Sequence, residues 1–327
     1  MIRPSSLQRF VSLSAAVLLA TFAAGAMAAD GWPKTFSIGY QKYGTLIILK
    51  SRGDLEKRLA PYGVEVKWSE FFAGAPILEA MNAGAVDFGI TGETPPVFAQ
   101  AAPGSLVRYV AYEPAAPAGE AILVPKGSPL KSVADLKGRT VGVARGSNSQ
   151  YLLVRALQKA GLKWTDITVS YLKPADANAA FVRNNIDAWS IWDYYLAAAQ
   201  QLSDARVLQG GDGVVDNYAF FLASDPFLKQ YPKVAQIAVE EVAKVDEWTR
   251  THTGEAAKLL AQATGIDAPI IETALKRAGY GPRPLSPEVI AAQQRIADAL
   301  FDIELLPAKF AVKDAVWTGF STVAAAP

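Results

Sequence analysis

Side chains that could bind a small ligand occur in four loops of this sequence. In each loop a β-prone run ends in polar, glycine-containing or aromatic residues, and a helix-like stretch follows. Ligands of α/β proteins bind at such loops, beyond the carboxyl ends of the strands. The candidates, together with one tyrosine at the start of a later strand, are Gln41, Tyr43, Thr91, Gly92, Glu93, Gly146, Ser147, Asn148, Ser149, Trp192, Asp193 and Tyr218.

The loop at residues 146–149 offers the clearest chemistry, because it opens a strongly amphipathic helix at residues 149–160. A helix N-terminus has unpaired N–H groups and the positive end of the helix dipole, and Ser147 and Ser149 add hydroxyl donors. This combination suits a small oxyanion. The alternative is that one of the serines is simply the N-cap of the helix.

The other loops leave two interpretations open. Glu93 would repel an anion unless it meets a cationic part of the ligand, and the alternative is that it only complements the dipole of the helix that follows it. Four aromatic residues could wall an apolar or aromatic slot, namely Trp192, Tyr194, Tyr43 and Tyr218, whereas single aromatic side chains more often belong to the core.

Composition argues against most catalytic chemistry. The chain has 327 residues, enough for about two domains, and Lys plus Arg (32) balances Asp plus Glu (31), so no net field favours nucleic acid or a membrane surface. There is no cysteine and one histidine, His252, on a polar stretch typical of a surface helix. Thiolate, iron–sulfur and cysteine-zinc sites are therefore impossible, and no Gly-Lys-Ser/Thr phosphate loop occurs. We predict a protein that is not an enzyme and has no cofactor or metal.

The first 28 residues have the layout of a secretory signal peptide. Arg3 and Arg9 precede an apolar run at residues 11–24, and small residues lead to a cleavage site after Ala28. An anchoring helix is the alternative, but the run is shorter than the roughly 20 residues that span a bilayer. Without a cysteine to carry acyl chains, the exported chain is predicted to be soluble in the periplasm and not lipidated.

Along the rest of the chain, short β-prone runs alternate with helix-like stretches, as in parallel sheets covered by helices. One helix is predicted at 45–59, mainly helices follow the last strand, and the strands are predicted at residues 36–40, 64–68, 86–91, 107–112, 121–124, 140–144, 168–172, 188–192, 206–208 and 218–223.

Two breaks interrupt this alternation, a Pro-rich stretch at residues 114–119 and the glycines at 210–213. They predict two α/β lobes that face each other across a cleft. The first lobe is predicted to comprise residues 29–115 and 218–327, with the C-terminal helices packed on it, and the second lobe residues 116–217.

Longer stretches around the candidate loops carry a resemblance. They read GYQK at 39–42, FFAG at 71–74, LEAMNAG at 78–84, VDFGITG at 86–92, PPVFAQAA at 95–102, DLKG at 135–138, GSNS at 146–149 and DAWSIWD at 187–193. Together they resemble the periplasmic aliphatic sulfonate-binding proteins of bacterial ABC importers, over essentially the full chain. The DLKG element is generic to such binding proteins, whereas TGETPP at 91–96 and WSIWD at 189–193 are more specific.

The resemblance implies a type II periplasmic binding protein with two doubly wound, mainly parallel lobes, which close on a ligand by hinge motion near residues 113–119 and 210–217. It implies a monomer that delivers aliphatic sulfonates to an inner-membrane permease for sulfur acquisition. The family's site, carried over onto this chain, implies Ser147, Asn148 and Ser149 as sulfonate donors, Trp192 and Asp193 at the cleft wall, and Gln41, Thr91, Gly92 and Glu93 in the first two loops.

This chain departs from the family at residue 194, where tyrosine stands in place of the usual proline, and this bears on the depth of the pocket. Other ligands stay open: taurine, if Glu93 or Asp193 faces an ammonium group, a sulfate ester, nitrate or a thiamine-precursor pyrimidine. A thiamine pyrimidine synthase of the same fold would need a Cys-rich motif and histidine, which a chain with no cysteine and one histidine cannot supply. A structural or adhesive role is disfavoured by the facing polar loops.

Overall fold

The strands of the protein occur where the sequence predicts them, with ends that differ by at most two residues. The structure is a computed structural model that describes residues 31–320, so the predicted signal peptide lies outside the described residues. Within this range the strands are β1 (Thr35–Tyr40), β2 (Glu65–Glu70), β3 (Phe88–Gly92), β4 (Val107–Glu113), β5 (Glu120–Val124), β6 (Thr140–Val143), β7 (Thr168–Tyr171), β8 (Ala188–Trp192), β9 (Arg206–Gly210) and β10 (Ala219–Ser224).

Helices connect and cover these strands. The predicted helix at 45–59 is in fact two helices, because Gly53 takes a left-handed conformation (φ 65°) and its N–H caps the carbonyls of Leu49 and Lys50. The helices are α1 (Thr45–Arg52), α2 (Asp54–Leu59), α3 (Gly74–Asn82), α4 (Thr94–Ala101), α5 (Asn148–Lys159), α6 (Pro174–Val182), α7 (Tyr195–Leu202), α8 (Asp225–Gln230), α9 (Pro232–Thr251), α10 (Thr253–Thr264), α11 (Ala268–Leu275) and α12 (Pro287–Asp302).

The strands form two sheets with the same topology. The first has the order β2-β1-β3-β10-β4, and the second has the order β7-β6-β8-β5-β9. In the first sheet β10 is antiparallel to both of its neighbours, and in the second sheet β5 is antiparallel to both of its neighbours. The other four strands of each sheet run in the same direction. The predicted pair of mainly parallel α/β units is confirmed. We term β1–β4 and β10 with their helices the first lobe, and β5–β9 with theirs the second lobe.

The same aspartate hydrogen bond to a neighbouring strand occurs in both lobes. Asp87, just before β3, accepts a hydrogen bond from the Ser37 N–H (2.8 Å), and Asp187, just before β8, accepts one from the Thr140 N–H (2.8 Å). Each aspartate thereby fixes the register of a central strand against its parallel neighbour. The repeat explains why the two halves of the sequence predict similar lobes.

Helices α9 and α10 share a core with β1 and α1 of the first lobe. Apolar side chains of α9 and α10, including Val242 and Leu260, share one core cluster with Phe36 of β1 and Leu46 of α1. The lobes also touch each other: α7 of the second lobe packs against α11 of the first, and α5 lies against α4. No helix within residues 31–320 is both long and apolar enough to cross a membrane.

Candidate functional site

A cavity of about 60 Å³ lies between the lobes, at the carboxyl ends of their parallel strands. We term it the central cavity. Its walls are the ends of strands and the loops that follow them, as expected for an α/β fold. The lining residues are Gln41, Tyr43, Gly44, Gly74, Ile90, Thr91, Gly92, Pro95, Glu113, Pro114, Ala116, Ser147, Asn148, Trp192, Asn217, Tyr218, Ala219 and Gly279.

The N-termini of four helices border the central cavity. Gly44 is the N-cap of α1, Gly74 is the first residue of α3, Pro95 lies in the first turn of α4, and Ser147 and Asn148 open α5. Helix N-termini carry partial positive charge and unpaired N–H groups. Of the residues that the structure describes, no lysine, arginine or histidine lines this cavity. The cavity can therefore hold a small anion through backbone donors alone.

The structure brings together most of the residues that the sequence predicts for the site. Those that line the central cavity are Gln41, Tyr43, Thr91, Gly92, Ser147, Asn148, Trp192 and Tyr218. It places the other four predicted residues, Glu93, Gly146, Ser149 and Asp193, outside this lining.

Two polar groups of the loop before α5 form hydrogen bonds within the loop itself. Ser147 Oγ donates to the Ala144 carbonyl (2.7 Å) and accepts from the Gln150 N–H (3.2 Å), so Ser147 is the N-cap of α5. The Gly146 N–H donates to Gln150 Oε1 (2.6 Å). Ser149 is fully buried, and its hydroxyl has no partner within the described chain. At the start of α5 the Ser147 hydroxyl is therefore used within the loop, whereas the first main-chain N–H groups and the Ser149 hydroxyl are not.

Asn148 connects the second lobe to the first lobe and to the segments between them. Its Oδ1 accepts from the Thr94 N–H (3.0 Å), and its Nδ2 donates to Asn217 Oδ1 (2.6 Å). Asn217 Nδ2 in turn donates to the Ala116 carbonyl (2.8 Å). Ala116 and Asn217 belong to the two crossover segments between the sheets, so this chain of hydrogen bonds holds the lobes in their present arrangement.

Glu93 points away from the central cavity. Its Oε2 accepts from the Tyr218 N–H (2.9 Å), and the side chain lines a separate groove of about 580 Å³ together with Arg155, Asp216 and Arg295. Burial raises the pKa of Glu93 to about 8. Glu93 lies outside the lining of the central cavity because its carboxylate accepts from the Tyr218 N–H, just before β10.

Asp193 forms a buried ion pair that bridges the lobes. Arg277, just after α11, has its Nη1 3.3 Å from both Asp193 oxygens, and its Nη2 donates to Gln200 (2.8 Å). The Ala197 N–H donates to Asp193 Oδ1 (3.0 Å) at the start of α7. Burial raises the pKa of Asp193 to about 6, against the lowering effect of Arg277. Asp193 therefore joins the lobes and does not face the central cavity.

Replacing Arg277 by methionine should destabilise the protein by about 2 kcal/mol at neutral pH, because it leaves a buried carboxylate unpaired. The loss should shrink toward pH 5, because Asp193 is then protonated whether or not Arg277 is present. Urea unfolding at both pH values measures this difference. An equal loss at the two pH values would mean that Arg277 contributes through packing and not through its charge.

Aromatic side chains form one wall of the central cavity and continue beyond it. Trp192 packs edge-on against Tyr195, and Tyr43 packs edge-on against Tyr194, which is buried. Gln41, Tyr43 and Trp192 also line a neighbouring cavity of about 390 Å³. Tyr194, the departure from the family pattern, lines the neighbouring cavity and not the central cavity.

Several lining residues were not among those predicted from the sequence. Gly44 and Gly74 start helices, and their position before predicted helices could have revealed them. Asn217 lies on a crossover segment and Glu113 is the last residue of β4, and their place at the cavity depends on how the two lobes are oriented. No pattern along the chain marks that orientation.

Comparisons with known proteins agree with this geometry. A family model described as NMT1/THI5 like matches residues 60–256. A protein of Escherichia coli (strain K12) that is named for binding aliphatic sulfonates is 41% identical over 309 residues, which cover 94% of this chain and 95% of that protein. The structure of the alkanesulfonate-binding protein SsuA from Xanthomonas axonopodis pv. citri bound to MOPS is similar with a TM-score of 0.83 at 38% identity, over 89% of this chain and 99% of the other. The structure of the periplasmic aliphatic sulphonate binding protein SsuA from Escherichia coli is similar with a TM-score of 0.80 at 40% identity, over 90% of this chain and 96% of the other.

Proposed function

Because the chain belongs to the NMT1/THI5-like family and, within it, to the aliphatic sulfonate-binding proteins, we propose that it is the substrate-binding component of an ABC importer for aliphatic sulfonates. The relatives that are 38–41% identical to it over nearly their whole length are named as binding proteins. One observation carries the proposal: the N-termini of four helices border the central cavity, and no cationic side chain lines it in the part of the chain that is described.

A sulfonate matches this site chemically. It remains ionised at physiological pH and offers three acceptor oxygens, so neutral N–H donors and helix dipoles can hold it without a titrating partner. The main-chain N–H groups of Asn148 and Ser149 and the side chain of Gln41 are the donors that we assign to it. The alkyl group lies against Trp192 and Ile90, where each buried CH₂ contributes about 0.8 kcal/mol. Longer tails extend past Trp192 into the neighbouring cavity.

We assign residues 29–115 and 218–327 to the first lobe, residues 116–217 to the second, and the hinges to residues 113–119 and 210–217. Two observations support these bounds. The chain changes sheets between β4 and β5 and again between β9 and β10. The crossover segments are hydrogen-bonded to each other, since the Ala116 N–H donates to the Asp216 carbonyl (3.1 Å). Lobes that close on the ligand about these segments would form the surface that a permease recognises.

We further propose that residues 1–28 direct export to the periplasm, where the mature chain acts as a monomer that delivers one ligand to its inner-membrane permease without contacting nucleic acid. The sequence pattern of a basic start, an apolar run and a small-residue cleavage site supports export. Two relatives, one of the SsuA proteins and a taurine-binding protein of Escherichia coli (strain K12), are described as periplasmic.

Thermal unfolding with a ligand panel tests the proposed function. A ligand at about 100 times its dissociation constant stabilises the folded state by roughly 2.7 kcal/mol, which shifts the midpoint measurably. We expect ethanesulfonate and longer alkanesulfonates to raise the midpoint, and nitrate, sulfate esters and aminopyrimidines to leave it unchanged. A shift with nitrate or a pyrimidine and none with any sulfonate would keep the fold and refute the assigned ligand.

A further inference from the structure

Glu113 is an unexpected residue in a site for anions. It lies at the end of β4, is buried, and is the one carboxyl side chain that lines the central cavity among the described residues. An ionised carboxylate within about 5 Å of a buried sulfonate would weaken binding by roughly a hundredfold. The charge on Glu113 therefore decides whether the cavity accepts an anion.

A threonine hydroxyl connects Glu113 to a second buried carboxyl group. Thr45 Oγ1, at the start of α1, lies 3.0 Å from Glu113 Oε1 and 2.6 Å from Asp246 Oδ1 of α9. A hydroxyl has one hydrogen, so Thr45 can donate to only one of these oxygens. If both contacts are hydrogen bonds, the second hydrogen must come from a carboxyl group, so this arrangement holds one proton between the two acids.

The surroundings indicate which acid carries the proton. Asp246 accepts a further hydrogen bond from the Gly281 N–H (2.8 Å), and its 2.6 Å contact with Thr45 is as short as a bond from a hydroxyl to a carboxylate. The contact of Glu113 is longer, and no N–H donor faces it among the described hydrogen bonds. Burial raises the pKa of Asp246 to about 7, so above this pH the consistent assignment is that Glu113 donates to Thr45 and that Thr45 donates to ionised Asp246.

The other titratable groups that face Glu113 are tyrosines. Burial of Glu113 and the charge of Asp246 raise the pKa of Glu113 well above its usual range. Tyr43, in the loop after β1, faces Glu113, and Tyr280, after α11, faces both acids. Burial raises the pKa of each tyrosine further above its ordinary alkaline value. Both tyrosines therefore stay neutral between about pH 6 and pH 9.

We propose that Glu113 is a specificity-determining residue of the central cavity: its proton admits sulfonates that lack an ammonium group, and loss of that proton excludes them. This inference rests on the proposed function, and it adds a pH dependence that the ligand cannot supply, because the sulfonate itself does not titrate. Ethanesulfonate and taurine form a matched pair of probes, since taurine differs only by its ammonium group.

Calorimetric titration of both probes between about pH 6 and pH 9 tests the proposal. We expect the affinity of the unaltered protein for ethanesulfonate to fall with rising pH, by up to about tenfold per unit once Glu113 ionises. At pH 6 the Glu113→Gln variant should bind ethanesulfonate with an affinity within about threefold of that of the unaltered protein. Its affinity should not fall with rising pH. Glu247→Gln, which neutralises an exposed carboxylate beside Asp246 on α9, should follow the unaltered protein. Ethanesulfonate should bind more tightly than taurine at neutral pH.

Three results would overturn the assignment. One is a Glu113→Gln variant with the same pH dependence as the unaltered protein. Another is tighter binding of taurine than of ethanesulfonate, lost in Glu113→Gln, which would make Glu113 an ionised partner of an ammonium group. The third, independent of any variant, is that the unaltered protein takes up no proton when it binds ethanesulfonate at any pH between about 6 and 9, as measured in buffers of different ionisation enthalpy. If neither probe binds at any pH, the proposed function itself fails.

Discussion

Replacing Gly92 by alanine should weaken the binding of ethanesulfonate by about a hundredfold. A Cβ atom at residue 92 would lie 2.2 Å from Asn148 Nδ2 and 2.3 Å from Asn148 Oδ1. Both atoms are already held, Oδ1 by the Thr94 N–H and Nδ2 by Asn217. The lobes must separate, or Asn148 must give up these hydrogen bonds. Overpacking of this kind costs about 1–3 kcal/mol, and every 1.4 kcal/mol is tenfold in affinity.

The affinity should fall because the lobes close less readily, and not because the folded state is less stable. The three atoms nearest to the added methyl group all belong to Asn148, in the opposite lobe, and the backbone of Gly92 is not in the left-handed region that favours glycine. The thermal midpoint without ligand should therefore change little. Only molecules with closed lobes bind the ligand tightly. The apparent dissociation constant therefore rises as the fraction of closed molecules falls.

Calorimetry gives the affinity, and small-angle X-ray scattering with and without ethanesulfonate gives the closure. Gly254→Ala is the matched control, because a Cβ there meets nothing within 4 Å. In a double-mutant cycle, Asn148→Ala should cost less affinity when alanine already stands at residue 92. Ligand-induced closure of Gly92→Ala with affinity within threefold of the unaltered protein would show that the contact between Gly92 and Asn148 does not limit closure.

The fold was predictable because its signals are local. Period-two runs mark the strands, amphipathic stretches mark helices such as α5, and Pro and Gly clusters mark the two crossovers. The direction of each strand was harder to predict, since the reversed strands β5 and β10 follow directly from the points where the chain changes sheets. The division of residues 45–59 was missed because a single glycine inside a helical pattern does not by itself reveal a left-handed conformation.

The site was predictable only as far as strand ends could be recognised. That rule selects the loops around Gln41, Thr91 and Asn148, but it does not say which way a side chain turns. Glu93 and Glu113 both lie next to the ends of strands, yet the Tyr218 N–H holds Glu93 away from the central cavity while Glu113 lines it. The different orientations of Glu93 and Glu113 depend on the start of β10, more than a hundred residues later in the chain.

Glu120 provides the second large expected effect, on stability. It is the first residue of β5, it is 1% exposed, and neither of its carboxyl oxygens has a hydrogen-bond partner in the described part of the chain. Burial, with a smaller contribution from the charge of Glu93, raises the pKa of Glu120 well above the ordinary value of 4.5. Above pH 4.5 the unfolded chain therefore releases a proton that the folded chain keeps. The folded state binds more protons, so its stability must fall as pH rises.

Glu120→Gln removes this penalty. Relative to the unaltered protein, the variant should gain about 1.4 kcal/mol of unfolding free energy for each pH unit above 4.5, until the folded-state pKa is reached. Urea unfolding between about pH 5 and pH 7 should then give lines that diverge with rising pH for as long as Glu120 stays protonated in the folded state. Glu65→Gln, at an exposed residue of β2, is the control and should run parallel to the unaltered protein. Parallel lines for Glu120→Gln as well would mean that Glu120 is ionised in the folded state and that a partner such as bound water compensates its charge.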